Sequence, residues 1–263
     1  MDLNLAGTVA LTTSSSSGLG KASATSLARE GVNVVVNGRN KERLESTVEE
    51  IREVATGEVI GHAGDITNAD DISALVDLTI DEFGQMDHLV TSAGGPPKLQ
   101  FYETTDEQWY DSYDLLVMSV VRVVREATPH LKADGGGSIV NITSRTVKEA
   151  SPSNVLSSSV RMAVPGLEKV LSNELAPEIR VNTVLPGSIE TQRIYNGWDK
   201  AIKRGEIVDY DEGRARRAAT IPLGRLGKPD EFGDTVAFLC SERAGFITGV
   251  ALPVEGGSGS STL

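Results

Sequence analysis

The chain has 263 residues, long enough for a large core, and its 37 acidic against 25 basic residues give a formal charge of −12. So acidic a surface repels nucleic acid and anionic lipid, which excludes both as expected partners. Cys240 is the one cysteine, so no internal disulfide can form and a reducing, cytoplasmic compartment is expected.

Short apolar runs alternate with helical patterns along the whole chain. Val9-Ala10-Leu11-Thr12 reads as a buried strand, followed by a helix over 20–30 that Gly31 stops. Val34-Val35-Val36 is the second strand. A helix over 41–54 carries Leu44, Val48, Ile51 and Val54 on one face. Strands near 59–62, 88–90, 138–142 and 180–184 are separated by helices over 70–83, 106–131 and 155–175. A helix over 229–240 and a strand near 250–254 close the pattern. Crossovers of this length between strands buried on both faces predict an α/β fold: a Rossmann-type doubly wound parallel sheet of about seven strands, helices on both faces. One dinucleotide-binding domain is expected over 1–263, with 258–263 as a loose tail. The polar stretch 190–220, holding Tyr195 and Trp198, is read as a lid over a small-molecule substrate; a solvated helical excursion is the alternative. The N-terminus Met1-Asp2-Leu3-Asn4 lacks the layout of a signal peptide. No apolar run reaches membrane-spanning length. His62, His88 and His130 lack metal-site spacing, so no metal is expected.

The first strand opens into Thr12-Thr13-Ser14-Ser15-Ser16-Ser17-Gly18-Leu19-Gly20 and then a helix. A pyrophosphate held there needs a tight turn, close backbone approach and the positive helix end. Gly18 and Gly20 supply approach and packing, and serine hydroxyls such as that of Ser17 can donate to phosphate. Ser14 stands where a first glycine is usual. The second strand ends in Asn37-Gly38-Arg39-Asn40-Lys41, without the acid that reads an NAD ribose. Arg39 has the planar fork suited to a 2′-phosphate, so NADP is expected in preference to NAD.

Together these segments resemble the classical short-chain dehydrogenases/reductases over about residues 5–257, and most resemble the 3-oxoacyl-carrier-protein-reductase-like group. Asp65-Ile66 resembles the pair that contacts adenine. Thr91-Ser92-Ala93-Gly94 is similar to the family's Asn-Asn-Ala-Gly. Asn141-Ile142-Thr143-Ser144 resembles the strand carrying the catalytic serine, and Pro186-Gly187-Ser188-Ile189-Glu190-Thr191 the segment at the nicotinamide. Arg225-Leu226-Gly227-Lys228-Pro229 and Val254-Glu255-Gly256-Gly257 resemble the C-terminal signatures. The resemblance implies cofactor contacts at Ser14, Ser17, Gly18, Leu19, Gly20, Arg39, Asp65, Ile66, Ser92, Ala93, Gly94, Arg161, Pro186, Gly187, Ile189 and Thr191. It also implies assembly into a homodimer or homotetramer through the helices 106–131 and 155–175.

The family's catalytic tetrad maps less completely. Ser144 matches the serine, but Leu116 stands for asparagine, Ser157 for tyrosine and Arg161 for lysine. Ser157 and Arg161, four apart, share a helix face. An aliphatic hydroxyl, near ~15.7 as for water, is a far weaker acid than a phenol near ~10. At about 1.36 kcal/mol per unit the gap is roughly 8 kcal/mol, and a neighbouring cation recovers only about 1–3 units. Arg161 stays charged and donates no proton. Reduction therefore needs a water or another side chain, among which Lys148, four residues beyond Ser144, ranks ahead of Glu149 and Tyr195. The leading reading is an NADP-dependent oxidoreductase acting on a small carbonyl or alcohol. The alternatives are a non-catalytic dinucleotide-binding protein and a non-redox, dehalogenase-like reaction on the same scaffold.

Overall fold

The computed structural model describes residues 2–133 and 135–261. Seven strands, β1 (Val9–Thr12), β2 (Asn33–Gly38), β3 (Val59–Ala63), β4 (His88–Thr91), β5 (Gly137–Ile142), β6 (Ile179–Pro186) and β7 (Ala251–Val254), form one sheet. They pair in the order β3-β2-β1-β4-β5-β6-β7, and every ladder is parallel. The central strands are continuous apolar runs because helices cover both faces. Alternate residues serve opposite layers. Ala10, Val34 and Val36 pack with α1 (Gly18–Arg29), α2 (Lys41–Arg52) and α10 (Pro229–Cys240). Leu11, Val35 and Leu89 pack with α3 (Ala69–Phe83), α5 (Ser119–Ala133) and α7 (Ala163–Glu174). The strand order reverses between β1 and β4, and a doubly wound sheet opens its ligand crevice at the carboxyl ends there.

Four expectations change. The helix expected over 41–54 ends at Arg52, which leaves Val54 39% exposed instead of on the buried face. The stretch 106–131 is α4 (Asp106–Tyr113) and α5 joined by a wide π-turn, Asp114–Met118. The helix expected over 155–175 is broken into α6 (Val155–Val160) and α7. Pro165 explains the break: it has no N–H to give the Arg161 carbonyl, and its ring crowds that residue. Val164 N donates to Arg161 O instead, at 3.1 Å. In the expected tail, Ser258 accepts from Arg145 Nη1 through its carbonyl and hydroxyl (3.1 and 3.0 Å). Glu149 Oε1 accepts from Ser261 N (2.9 Å) and from Ser260. Residues 258–261 are thus fastened to the segment after β5 and are not loose, while 262 and 263 lie outside the described residues. The stretch 190–220 forms α8 (Gln192–Lys203) and α9 (Tyr210–Ala218), closed around Trp198, Ile207, Ile221 and Leu226.

His88 offers a measurable stability term. It is buried in β4, its Nδ1 lies 3.0 Å from Ser138 Oγ, and its Nε2 has no partner among the described residues. Burial, reinforced by Arg180, lowers its pKa to about 3 from 6.5. The unfolded chain therefore binds the proton first, and stability falls as pH drops from 6.5 toward 3. At pH 5 the loss from this residue is about 2 kcal/mol. Denaturant unfolding at pH 7.5 and 5 should show a smaller acid loss in His88→Gln than in the wild type; equal losses would clear His88 of the effect.

Candidate active site

The turn after β1 is built by its own hydroxyls. Ser15 Oγ donates to Thr12 O (2.7 Å) and accepts from Asn37 N (2.9 Å), so Ser15 is spent on the scaffold. Thr13 Oγ1 donates to Ser92 O (3.0 Å) and accepts from Ser92 N (2.9 Å), locking the turn to the end of β4. Ser17 is the N-cap of α1 but makes no side-chain cap bond, and it is exposed beside exposed Gly18. A Cβ on Gly20 would lie 2.7 Å from Ser14 O and 2.9 Å from Ser15 Cα, so only glycine lets the helix meet the turn. Leu19 turns its side chain into the core. Ser14 adopts φ 46, left-handed backbone that serine resists. Ser14→Gly should stabilise the fold by about 1 kcal/mol. A thermal melt unchanged or lowered by the substitution would rule out strain at this residue.

At the end of β2 any side chain on Gly38 would overlap Ser16 Oγ, which leaves Arg39 as the first residue free to project. Arg39 is 73% exposed and its Nη1 lies 3.4 Å from Asp65 Oδ2. Burial raises the Asp65 pKa, but the Thr67 amide and hydroxyl, with Arg39, outweigh it and hold the carboxylate below its usual range. Ile66 beside it is buried. The turn, the β2 end and the β3 end thus form one open strip with an exposed guanidinium, a free hydroxyl and a helix N-terminus, a donor set that fits a dinucleotide carrying an extra phosphate.

Ser144 follows β5, and its Oγ accepts from Thr146 N at 3.2 Å. Thr146 Oγ1 in turn lies 3.2 Å from Ser157 Oγ. Thr146 is the partner that sequence reasoning missed; the contact crosses from the loop to α6, and no local pattern announces it. Lys148, put forward as the proton donor, is exposed, and Ser157 Oγ has Thr146 Oγ1 beside it. Glu149 is occupied by Ser260 and Ser261. Tyr195 donates to Glu190 Oε1 (2.5 Å) and accepts from Arg214 Nη2 (3.2 Å) inside the 190–220 stretch.

Arg161 is 6% exposed. Its Nη2 donates to Gly94 O at 2.9 Å, while its Nε has no partner among the described residues. Burial, with Arg193 second, lowers its pKa to about 10, which leaves it charged at neutral pH. The Arg161 amide still donates to Ser157 O (3.3 Å), so the one-turn relation of the pair survives the helix break. Leu116 lies in the π-turn, packed with Val160 and Val164, and fills apolar space where a hydrogen-bonding side chain was expected from the resemblance. Gly187 abuts Glu255 Cα, within 2.6 Å of where a Cβ would stand. Pro186 ends β6, Ile189 is buried, and Thr191 caps α8 without a side-chain bond. Ser92 and Ala93, half-buried, lead into the Gly94 carbonyl.

The enoyl-(acyl carrier protein) reductase family profile matches residues 13–259. The chain belongs to the short-chain dehydrogenase/reductase family. It is 32% identical over 256 residues to dehydrogenase/reductase SDR family member 4 of Caenorhabditis elegans, covering 95% of each chain. It is 31% identical over 256 residues to the 3-oxoacyl-[acyl-carrier-protein] reductase of Thermotoga maritima, covering 97% of this chain and 99% of that one. L-sorbose reductase from Gluconobacter frateurii, solved with NADPH and L-sorbose, superposes with a TM-score of 0.95 at 31% identity, covering 99% and 100% of the two chains. Like these relatives, this short-chain dehydrogenase/reductase is an oxidoreductase built on the parallel sheet described above.

Proposed function

We propose that this short-chain dehydrogenase/reductase is an NADP-dependent reductase of a small carbonyl compound, with proton delivery that does not depend on a tyrosine. The observation that carries the reading is the open strip at Ser17, Gly18 and Arg39, next to a strand end without a carboxylate. The NADPH bound to L-sorbose reductase supports it. Arg39 reads the 2′-phosphate, the Ser14–Gly20 turn holds the pyrophosphate, and Asp65 and Ile66 take the adenine side. Ser92, Ala93, Gly94, Pro186, Gly187, Ile189 and Thr191 line the remaining path.

Bound NADPH supplies a hydride to the substrate carbonyl carbon. Ser144 Oγ donates to the carbonyl oxygen and fixes its direction. Arg161 holds ribose hydroxyls and places a permanent charge under the developing oxyanion. Ser157 and Thr146 form a hydroxyl pair that passes a proton in from water without either ionising. The residues over 190–220 close above the substrate. Val121, Val124, Pro129, Leu167 and Leu171, with Arg125 and Thr128, leave a mainly apolar groove between α5 and α7, which supports pairing of subunits through these helices. No helix among the described residues is long and apolar enough to cross a membrane, and the proposed working compartment is the cytoplasm.

The test is NADPH oxidation across a panel of small ketones and aldehydes, with product identified. Turnover restricted to some members and faster with NADPH than with NADH is expected. Tight NADPH binding without turnover would favour a dinucleotide-binding protein that does no chemistry, the reading that Ser157 itself supports. Failure to bind either cofactor would favour a non-redox reaction around Arg161.

A further inference from the structure

The chain is strongly acidic, yet several cations gather beside the loop after β4. Arg193, in the first turn of α8, stacks so closely on Gly95 that any side chain there would overlap its guanidinium. On the adjoining residue, the Gly94 carbonyl accepts from Arg161. Two guanidinium groups therefore bracket the Gly94–Gly95 segment, close enough that Arg193 disfavours the charge on Arg161. Lys98, farther along the same loop, has its pKa lowered by burial and then by Arg193, Arg217 and Lys200. No carboxylate acts on Lys98, and Lys98, Arg161, Arg193, Lys200 and Arg217 make no ion pair among the described residues. Arg39, Arg122, Arg214, Arg216 and Arg225, by contrast, each have a carboxylate within reach. A second observation lies deeper. Arg161 is buried, and its Nε has no partner among the described residues.

Like charges gathered without counter-charge repel one another, and that repulsion is relieved when an anion enters. We propose that Lys98 and Arg193, backed by Lys200 and Arg217, form a subsite for an anionic group on the substrate, a carboxylate or a phosphate. The inference rests on the proposed reductase reading and narrows it to carbonyl compounds bearing a negative charge. Lys98 and Arg193 hold the anion beside the Gly94–Gly95 segment, which leaves the uncharged carbonyl to reach Ser144 and Ser157. Cofactor phosphates are the other source of the same chemistry, and the experiment separates the two.

Binding, rather than turnover, is the readout, so that a slow reaction does not obscure the result. Calorimetry would compare 4-oxopentanoate with its methyl ester, and dihydroxyacetone phosphate with dihydroxyacetone. Each pair would be titrated into NADP+-saturated and cofactor-free protein, wild type and Lys98→Gln/Arg193→Gln. The NADP+-saturated wild type should bind at least one charged member about tenfold more tightly than its neutral partner. The double variant should lose that preference while its NADP+ affinity stays within about twofold. Equal affinities in the wild type for both pairs would overturn the subsite. So would anion binding confined to cofactor-free protein, or a double variant whose NADP+ affinity falls along with the preference, because the cations would then serve the cofactor. Absence of NADP+ binding overturns the reductase reading alone, and the titrations of cofactor-free protein then decide the subsite.

Discussion

Replacing Ser157 by tyrosine together with Arg161 by lysine should raise NADPH-dependent reduction by about 10³-fold, within the range that a positioned general acid contributes. The reason is acidity at fixed geometry. The serine hydroxyl is a weaker acid than a phenol by roughly 8 kcal/mol, and the permanent charge of Arg161 cannot close that difference. Both substitutions are needed. The Arg161 guanidinium is tied to Gly94 O, whereas an ammonium is compact enough to approach the phenol oxygen and lower its pKa. Ser157 is 3% exposed with Thr146 3.2 Å away, so the new ring must displace the Thr146 contact and project toward Ser144. A melting temperature close to that of the wild type establishes that the ring is accommodated. Single-turnover NADPH oxidation then gives the rate. An unchanged rate with unchanged NADPH affinity would show that proton delivery does not limit the wild type.

Arg39→Ala should weaken NADPH binding by about 10–100-fold, equivalent to 1.5–3 kcal/mol for hydrogen bonds to a charged group. NADH binding should change by no more than about twofold. The contrast follows from where Arg39 lies. At 73% exposure it supports no packing, and its one partner among the described residues is Asp65 at 3.4 Å. Its removal leaves no cavity, and an exposed ion pair of this kind contributes about 0–1 kcal/mol to stability. The loss should therefore appear in the affinity for the phosphorylated cofactor and barely in the melt. Equal loss of both cofactors would mean that Arg39 acts on the shared part of the dinucleotide.

The sheet was legible because the middle of a strand covered on both faces is apolar, as in Val34-Val35-Val36 and Ile139-Val140. The turn from β1 into α1 was legible too, since its glycines and serines adjoin in sequence. The π-turn at Asp114–Met118 was not: its residues keep a helical apolar pattern and differ only in hydrogen-bond register. The break at Arg161 did have a signal, Pro165, which has no N–H to give the carbonyl four residues back. Contacts between distant segments were beyond reach. Thr146 meets Ser157 across a loop, Arg193 meets Gly95 from another part of the chain, and Ser258–Ser261 meet Arg145 and Glu149 more than a hundred positions back. The stretch 190–220 looked merely polar because a small cluster around Trp198 suffices to close two short helices.

The most direct single measurement is a calorimetric titration of the wild-type protein with NADPH and, separately, with NADH. NADPH should bind about tenfold or more tightly than NADH, with one site per chain. NADH binding as tightly as NADPH, or neither cofactor binding, would contradict a site in which Arg39 reads a 2′-phosphate beside the Ser14–Gly20 turn.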